Sequence, residues 1–139
     1  MPELPEVETV KESLKLRLNN KKIIRTRVLW DNIIAYPSKE KFIKETANQS
    51  INDVKRRGKF LMFDLDDYYL LSHLRMEGKY FFKTKDDDIN KHEHVIFDLD
   101  DGSELRYMDT RKFGKMYLIK KEDIDKIGPL VELGLEPWD

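Results

Sequence analysis

No cysteine occurs anywhere in the chain, which excludes disulfides and any thiolate-bound metal within it. A charge imbalance is missing too: 38% of the residues are charged, yet the formal net charge is −1. Composition therefore does not announce a nucleic-acid binder, and any surface for a polyanion must be built from local patches. No apolar run is long enough to span a bilayer and no signal peptide is recognisable, so the expectation is a soluble, cytoplasmic protein with no membrane contact. Internal repeats and low-complexity segments are absent as well. What is present is 139 residues, a length that suits one domain with its own core.

Leu4, Val7, Val10, Leu14 and Leu18 recur at spacings of three and four, with Lys11, Lys15 and Arg17 toward the far end. This predicts an amphipathic helix ending near Asn19-Asn20. Lys22–Trp30 is rich in β-branched residues and reads as a strand, and Ser38 offers an N-cap for a short helix carrying Phe42 and Ile43. Further strands are expected over Ile51–Arg56, Phe60–Leu65, Tyr68–Leu74, Lys79–Thr84, His92–Leu99, Glu104–Met108 and Lys115–Lys120, with a turn at Asp100–Ser103. Glu122 to Ile127 is expected to make one or two helical turns before Gly128-Pro129. Eight short strands and few helices predict an α+β, mainly β fold: a two-sheet β-sandwich flanked by an N-terminal helix and a second short helix.

The first ten residues carry the most chemistry. Once Met1 is removed, Pro2 is the N-terminus, and its secondary amine can attack a sugar C1′ to give an iminium that is already cationic. An α-amino group has a reference pKa of ~7.7–8.0 against ~10.4 for lysine, so far more of it is nucleophilic at neutral pH. Glu3 stands beside it as a possible proton shuttle, and Glu6 follows one helical turn later. The plainer reading is that Glu3, Glu6 and Glu8 complement the positive end of a helix dipole, with Pro5 at a favoured early position.

Lys55-Arg56-Arg57-Gly58-Lys59 clusters positive charge between two strands, either as a solvated turn or as a phosphate site. Arg75-Met76-Glu77-Gly78 and Arg111-Lys112-Phe113-Gly114 share a pattern: a cation near a large apolar residue, closed by glycine at a strand end. A loop entering a nucleic-acid groove needs that mixture, the cation gripping phosphate and the apolar group wedging into the stack. From spacing alone, Met76 and Phe113 read first as ordinary core residues of a sandwich. His92 and His94 would share a face of a strand, but with no third ligand nearby they make a poor metal site, and none is expected. Asp86–Asp88 reads as a solvated loop.

These stretches resemble the formamidopyrimidine-DNA glycosylase family in sequence and in order: PELPEVETV at Pro2, RRGKFL from Arg56, HLRMEG from His73, KHEHV from Lys91, LRYMDTRKFG from Leu105 and ELGLEP from Glu132. The resemblance covers the whole chain and about half of a family member, its N-terminal catalytic domain. It implies a β-sandwich flanked by helices, damaged double-stranded DNA as partner, and a monomer. It further implies excision of oxidised purines such as 8-oxoguanine through a Schiff base on Pro2, followed by β- and δ-elimination at the resulting abasic site. Glu3 is implied as acid, Glu6 as support to the amine and Lys59 as proton donor in elimination. His73, His92 and Arg111 are implied as DNA-binding residues, and Met76, Arg111 and Phe113 as the triad filling the void left by the everted nucleotide. The family's helix-two-turn-helix element and zinc finger belong to a second half, so no cofactor is expected in residues 1–139.

Two alternatives accompany this reading. An endonuclease-eight-like enzyme for oxidised pyrimidines usually opens with glycine where this chain has Leu4. A non-catalytic damage-binding module would keep the fold and wedge loops without turnover. A lone N-terminal half offers one wall of a DNA cleft, which predicts weak duplex binding and little excision. Retention of Met1 would turn the Pro2 nitrogen into an amide and abolish the chemistry.

Overall fold

The computed structural model describes residues 4–75 and 78–132, with side chains described for 7–75 and 78–129. Helix α1, Leu4–Leu18, forms where the apolar stripe lies, burying Val7, Leu14 and Leu18 while Leu16, off the stripe, is 83% exposed. Asn20 ends it in the left-handed region at φ 63°, and the Lys21 amide donates to the Leu18 carbonyl at 2.9 Å. Strand β1 is Ile23–Val28; β2, Ile34–Tyr36, follows a short 3-10 turn; and helix α2, Lys39–Thr46, begins with the Ser38 hydroxyl accepting from the Lys41 amide at 3.2 Å.

The remaining strands are β3 (Asp53–Arg57), β4 (Phe60–Asp64), β5 (Tyr68–His73), β6 (Lys79–Thr84), β7 (Glu93–Leu99), β8 (Ser103–Met108) and β9 (Lys115–Lys120). They form a four-stranded sheet ordered β1-β7-β8-β6 and a five-stranded sheet ordered β2-β9-β5-β4-β3. All pairings are antiparallel except β2 with β9. Period-2 patterning explains the stacking. Leu61, Phe63 and Leu70 face Val95, Phe97, Leu99 and Leu105 across the core. The α+β sandwich is as expected, and the helices close its open sides. Helix α1 packs on β3 and reaches β6, where the Arg17 guanidinium lies 3.8 Å from the Phe82 ring centre, while α2 packs on β1 and β2.

Three local expectations are corrected. The described residues hold nine strands rather than eight, because β2 is a three-residue strand supported by parallel pairing with β9, a partner far along the chain. Helix α3, Ile124–Glu132, runs through Gly128 and Pro129 rather than stopping before them. Gly128 is buried beside the Arg57 guanidinium, where an added Cβ would lie 3.2 Å from its carbon, and Ile124 and Ile127 pack on the outer face of the five-stranded sheet with Phe60, Met62, Leu71 and Ile119. Tertiary packing thus overrides weak local propensity. Finally, a register shift between Glu93 and Val95 breaks the alternation that would place His92 and His94 on one face.

Candidate nucleic-acid interface

One end of the sandwich gathers residues from five separate stretches. Strand β3 runs toward it and turns through Gly58, at φ 60°, so that Lys59 stands exposed at the tip. Helix α1 runs the opposite way beside β3. Near its start Glu8 accepts from Arg56 Nε at 2.8 Å, and further along Lys15 reaches Asp53 at 3.4 Å. The N-terminal end of α1 therefore lies at the same end as Lys59. The β5 strand ends there with His73, β7 begins there after His92, and the β8–β9 connection crosses it.

That connection is folded by one buried carboxylate. Asp109 is 0% exposed; its Oδ1 accepts from the amides of Arg111 and Lys112, both at 3.1 Å, and its Oδ2 from the Gly114 amide at 2.8 Å and the Tyr107 hydroxyl at 3.1 Å. An aspartate accepting from the amide two residues on is an Asx turn, a signal readable in Asp109-Thr110-Arg111. The turn is tied down further: the Asp109 amide donates to the His92 carbonyl at 2.9 Å, and His94 Nε2 pairs with the Asp109 carbonyl at 2.7 Å. His94 is accordingly a buried structural histidine. Held this way, Arg111, Lys112 and Phe113 face solvent, with Phe113 50% exposed and the Arg111 guanidinium 5.2 Å from its ring centre. Phe113 is no core residue.

Strain marks the two loops. Among the described residues, four other than glycine have positive φ. Two are asparagines, which tolerate this region; the others are Arg75, at 58°, and Lys112, at 59°. One basic residue in each loop is thus held in a sparsely populated conformation, the kind of strain that concentrates at functional sites.

His73 is 8% exposed, packed edge-on against Phe60 with ring centres 4.7 Å apart, and its Nδ1 accepts from the Arg75 amide at 3.2 Å. Burial, and then the nearby charges of Arg75 and Lys59, push its pKa down to about 4. The ring is therefore neutral at physiological pH, and with Nδ1 accepting, its proton lies on Nε2. His92 is half-buried beside the Asp109 turn, its own amide donating to Asn90 Oδ1 at 2.8 Å.

Charge pairing separates the basic residues. In the β3–β4 cluster, Lys55 reaches Asp64 at 3.7 Å and Arg56 reaches Glu8, so the cluster is not a uniform phosphate patch. Lys59, Arg75, Arg111, Lys112 and Lys115 have no carboxylate partner among the described residues. Lys112 and Lys115 instead lie 5.1 and 5.6 Å from the Trp30 ring centre, and Lys115 Nζ also donates to the Asn32 carbonyl at 2.9 Å. Arg75 and Lys112 lie within the two patterns of cation, apolar residue and glycine read from the sequence, whereas nothing in the sequence singled out Lys115 or Trp30. Among the described residues, no group of three His, Cys, Asp or Glu residues could hold a metal ion, and no helix is long and apolar enough to cross a membrane. Pro2, Glu3 and Met76 lie outside the described residues, as does the side chain of Glu6.

The sequence profile of the formamidopyrimidine-DNA glycosylase N-terminal domain matches residues 1–116. The formamidopyrimidine-DNA glycosylase of Shouchella clausii is 50% identical over 139 residues, covering 99% of this chain and 50% of its own length, and that of Bacillus subtilis is 48% identical over 138 residues, covering 99% and 50%. The crystal structure of Lactococcus lactis Fpg in complex with a FAPY-dG-containing DNA superposes with a TM-score of 0.85 at 37% identity, over 94% of this chain and 48% of that one. The same enzyme with an abasic-site-containing DNA gives 0.86 at 37% identity. The chain spans about half the length of these relatives. On this likeness in sequence and in fold, it belongs to the formamidopyrimidine-DNA glycosylase family.

Proposed function

We propose that the chain is the nucleophile-bearing, DNA-gripping half of a base-excision-repair glycosylase that removes oxidised purines and then acts as an AP lyase. The observation that carries this reading is the gathering, at the end of the sandwich where α1 begins, of basic residues with no carboxylate partner among the described residues. In a protein of net charge −1, cations gathered in one place without such partners among the described residues favour a polyanion there. The relatives solved with lesion-containing DNA support the same partner.

In the reaction, the Pro2 nitrogen donates its lone pair to C1′ of an everted nucleotide while the glycosidic bond breaks, its electron pair leaving with the base, which takes a proton from Glu3. The nitrogen then gives up its own proton and its lone pair expels O4′, which takes that proton, so the sugar ring opens to the iminium. Glu6 supports the amine. The iminium acidifies C2′; loss of that proton expels the 3′ phosphate, with Lys59 assisting, and δ-elimination follows. Lys59 at its exposed turn can reach a sugar or phosphate held against this end, and Arg111 beside Phe113 suits insertion where the nucleotide has left. His73 offers a neutral Nε2–H, and half-buried His92 its ring, to the backbone. A second half of the protein supplies the opposite wall of the cleft.

Borohydride trapping on a duplex with an abasic site tests this, using protein whose mass shows Met1 removed. A covalent adduct that disappears when the N-terminus is blocked is the expected result. No adduct with protein in excess over DNA, from this chain alone and from this chain continued by the second half of the Bacillus subtilis relative, would overturn it. Excision of 8-oxoguanine in preference to thymine glycol by that chimera would separate the purine reading from the pyrimidine one.

A further inference from the structure

The two loops that carry the candidate wedge residues end in glycines that meet at one atom. A Cβ on Gly114 would overlap the Tyr107 hydroxyl and lie 2.9 Å from the ring carbon bearing it. A Cβ on Gly78, in the other loop, would lie 2.5 Å from the same hydroxyl. Tyr107 is fully buried on β8, its ring 5.2 Å from that of Tyr80, and its hydroxyl donates to Asp109 Oδ2, the carboxylate that folds the β8–β9 turn. The Gly78 amide in turn donates to the Leu74 carbonyl at 2.9 Å, closing its own loop against the same contact.

We propose that Tyr107 is a positioning residue that locks Gly78 and the Arg111–Gly114 loop to each other, so that Arg111 and Phe113 enter a duplex from a fixed base. The wedging itself rests on the DNA-excising function proposed above; the coupling does not. One phenol oxygen sets the separation of the two glycine Cα atoms, and its proton holds the carboxylate that aims Arg111 and Phe113. Side chains filling a gap in a base stack must be held in place, and a loop that moved independently would pay in entropy to become ordered on binding. Burial, then Tyr80 and Asp109, push the phenol's pKa far above its ordinary value, so it remains a donor at any working pH.

Amide exchange in the 139-residue chain decides the coupling. In Tyr107→Phe, the Gly78 and Gly114 amides should both exchange at least about tenfold faster, the scale set by losing one hydrogen bond to a carboxylate. The strand amides of Leu70 and Val95 should change by less. A response at Gly114 alone, at neither glycine, or equally at every amide would overturn the proposal. Should the variant not fold, native-state exchange of the unaltered chain in rising urea decides instead: the two glycine amides must open together, and distinct openings would overturn it. Wedging is read separately, from a 2-aminopurine beside an abasic site in duplex DNA. Its fluorescence should rise with the unaltered protein and less with Tyr107→Phe, while single-stranded abasic DNA binds both alike. Absence of any rise with the unaltered protein, the glycine amides still coupled, would overturn the wedge and the function it rests on while leaving the coupling intact.

Discussion

Two groups of cations in this molecule have opposite surroundings. On the outer face of the four-stranded sheet, Arg106 is 1% exposed and its guanidinium is saturated: Nε bonds Glu104 at 2.9 Å, Nη1 bonds Glu93 at 2.7 Å, and further bonds reach the carbonyls of Thr84, Asp87 and Asp88. Lys83 adds a contact to Glu93 at 3.1 Å, and Arg25 and Arg27 share Asp98. The acidic run Asp86–Asp88 is thus organised by its backbone around one arginine. Burial opposes the charge on Arg106 and Glu93, and their mutual bonds outweigh it, raising one pKa and lowering the other. At the loop end, by contrast, Lys59, Arg75 and Arg111 have no carboxylate partner among the described residues. Cations paired with carboxylates across the sheet hold the fold together, and the cations at the loop end lack such a partner among the described residues. Similar residue types therefore do different work, separated by whether a carboxylate lies within reach.

Breaking the first group should have the largest effect. Arg106→Leu leaves buried Glu93 with Lys83 alone and Glu104 with Arg27 alone, and should lower unfolding free energy by about 3–5 kcal/mol, read by urea denaturation. An unchanged urea midpoint would erase the distinction between the two groups. Gly114→Ala overpacks the contact with Tyr107 and should lose about 1–3 kcal/mol. Its duplex affinity should fall with it, because the turn that presents Arg111 and Phe113 must shift.

A pH titration sharpens the comparison through His73. Its folded pKa, about 4, lies below the unfolded value of ~6.5. The unfolded chain then binds the extra proton first, so this group's contribution is complete above pH ~6.5 and is lost as pH falls toward about 4. Carboxylates with depressed pKa, such as Asp101 with its hydroxyl and amide bonds from Ser103, withdraw their share at lower pH. The urea midpoint should fall between pH 6.5 and 4 and fall less in His73→Gln; equal slopes would remove the charged surroundings inferred for this ring. The smallest stability effect belongs to the rim. Lys59→Ala and Arg111→Ala should each leave unfolding free energy within about 0.5 kcal/mol of the parent. Each should also reduce the salt dependence of duplex binding by about 0.9 in log–log slope if it neutralises one phosphate. A large stability loss in either would place it with the internal group.

Much of the scaffold was legible. Helix α1 follows from Val7, Val10, Leu14 and Leu18, α2 starts at the N-cap Ser38, and the eight strands other than β2 begin and end within two residues of the expected bounds. These are local patterns, readable because helix and strand periodicities differ. The strand β2 was not legible, since three residues carry no period and its parallel partner β9 is distant in sequence. The two wedge-like loops were legible as cations near large apolar residues closed by glycine, but spacing alone favoured the core for Phe113. Its exposure follows from the Asp109 turn, whose anchors at His92 and His94 come from another strand.

By itself, then, the sequence determined the alternation and helical periods, the turn residues, and which side chains could bear charge or chemistry, because those properties reside in each residue and its near neighbours. The tertiary structure alone decided which cations are neutralised. Arg56 is quenched by Glu8, 48 positions away, while Lys59, only three positions from Arg56, has no carboxylate partner among the described residues. It also decided that Gly78 and Gly114 meet at the Tyr107 hydroxyl. Electrostatic pairing and steric contact act through space over a few ångströms, and only the folded chain sets those distances.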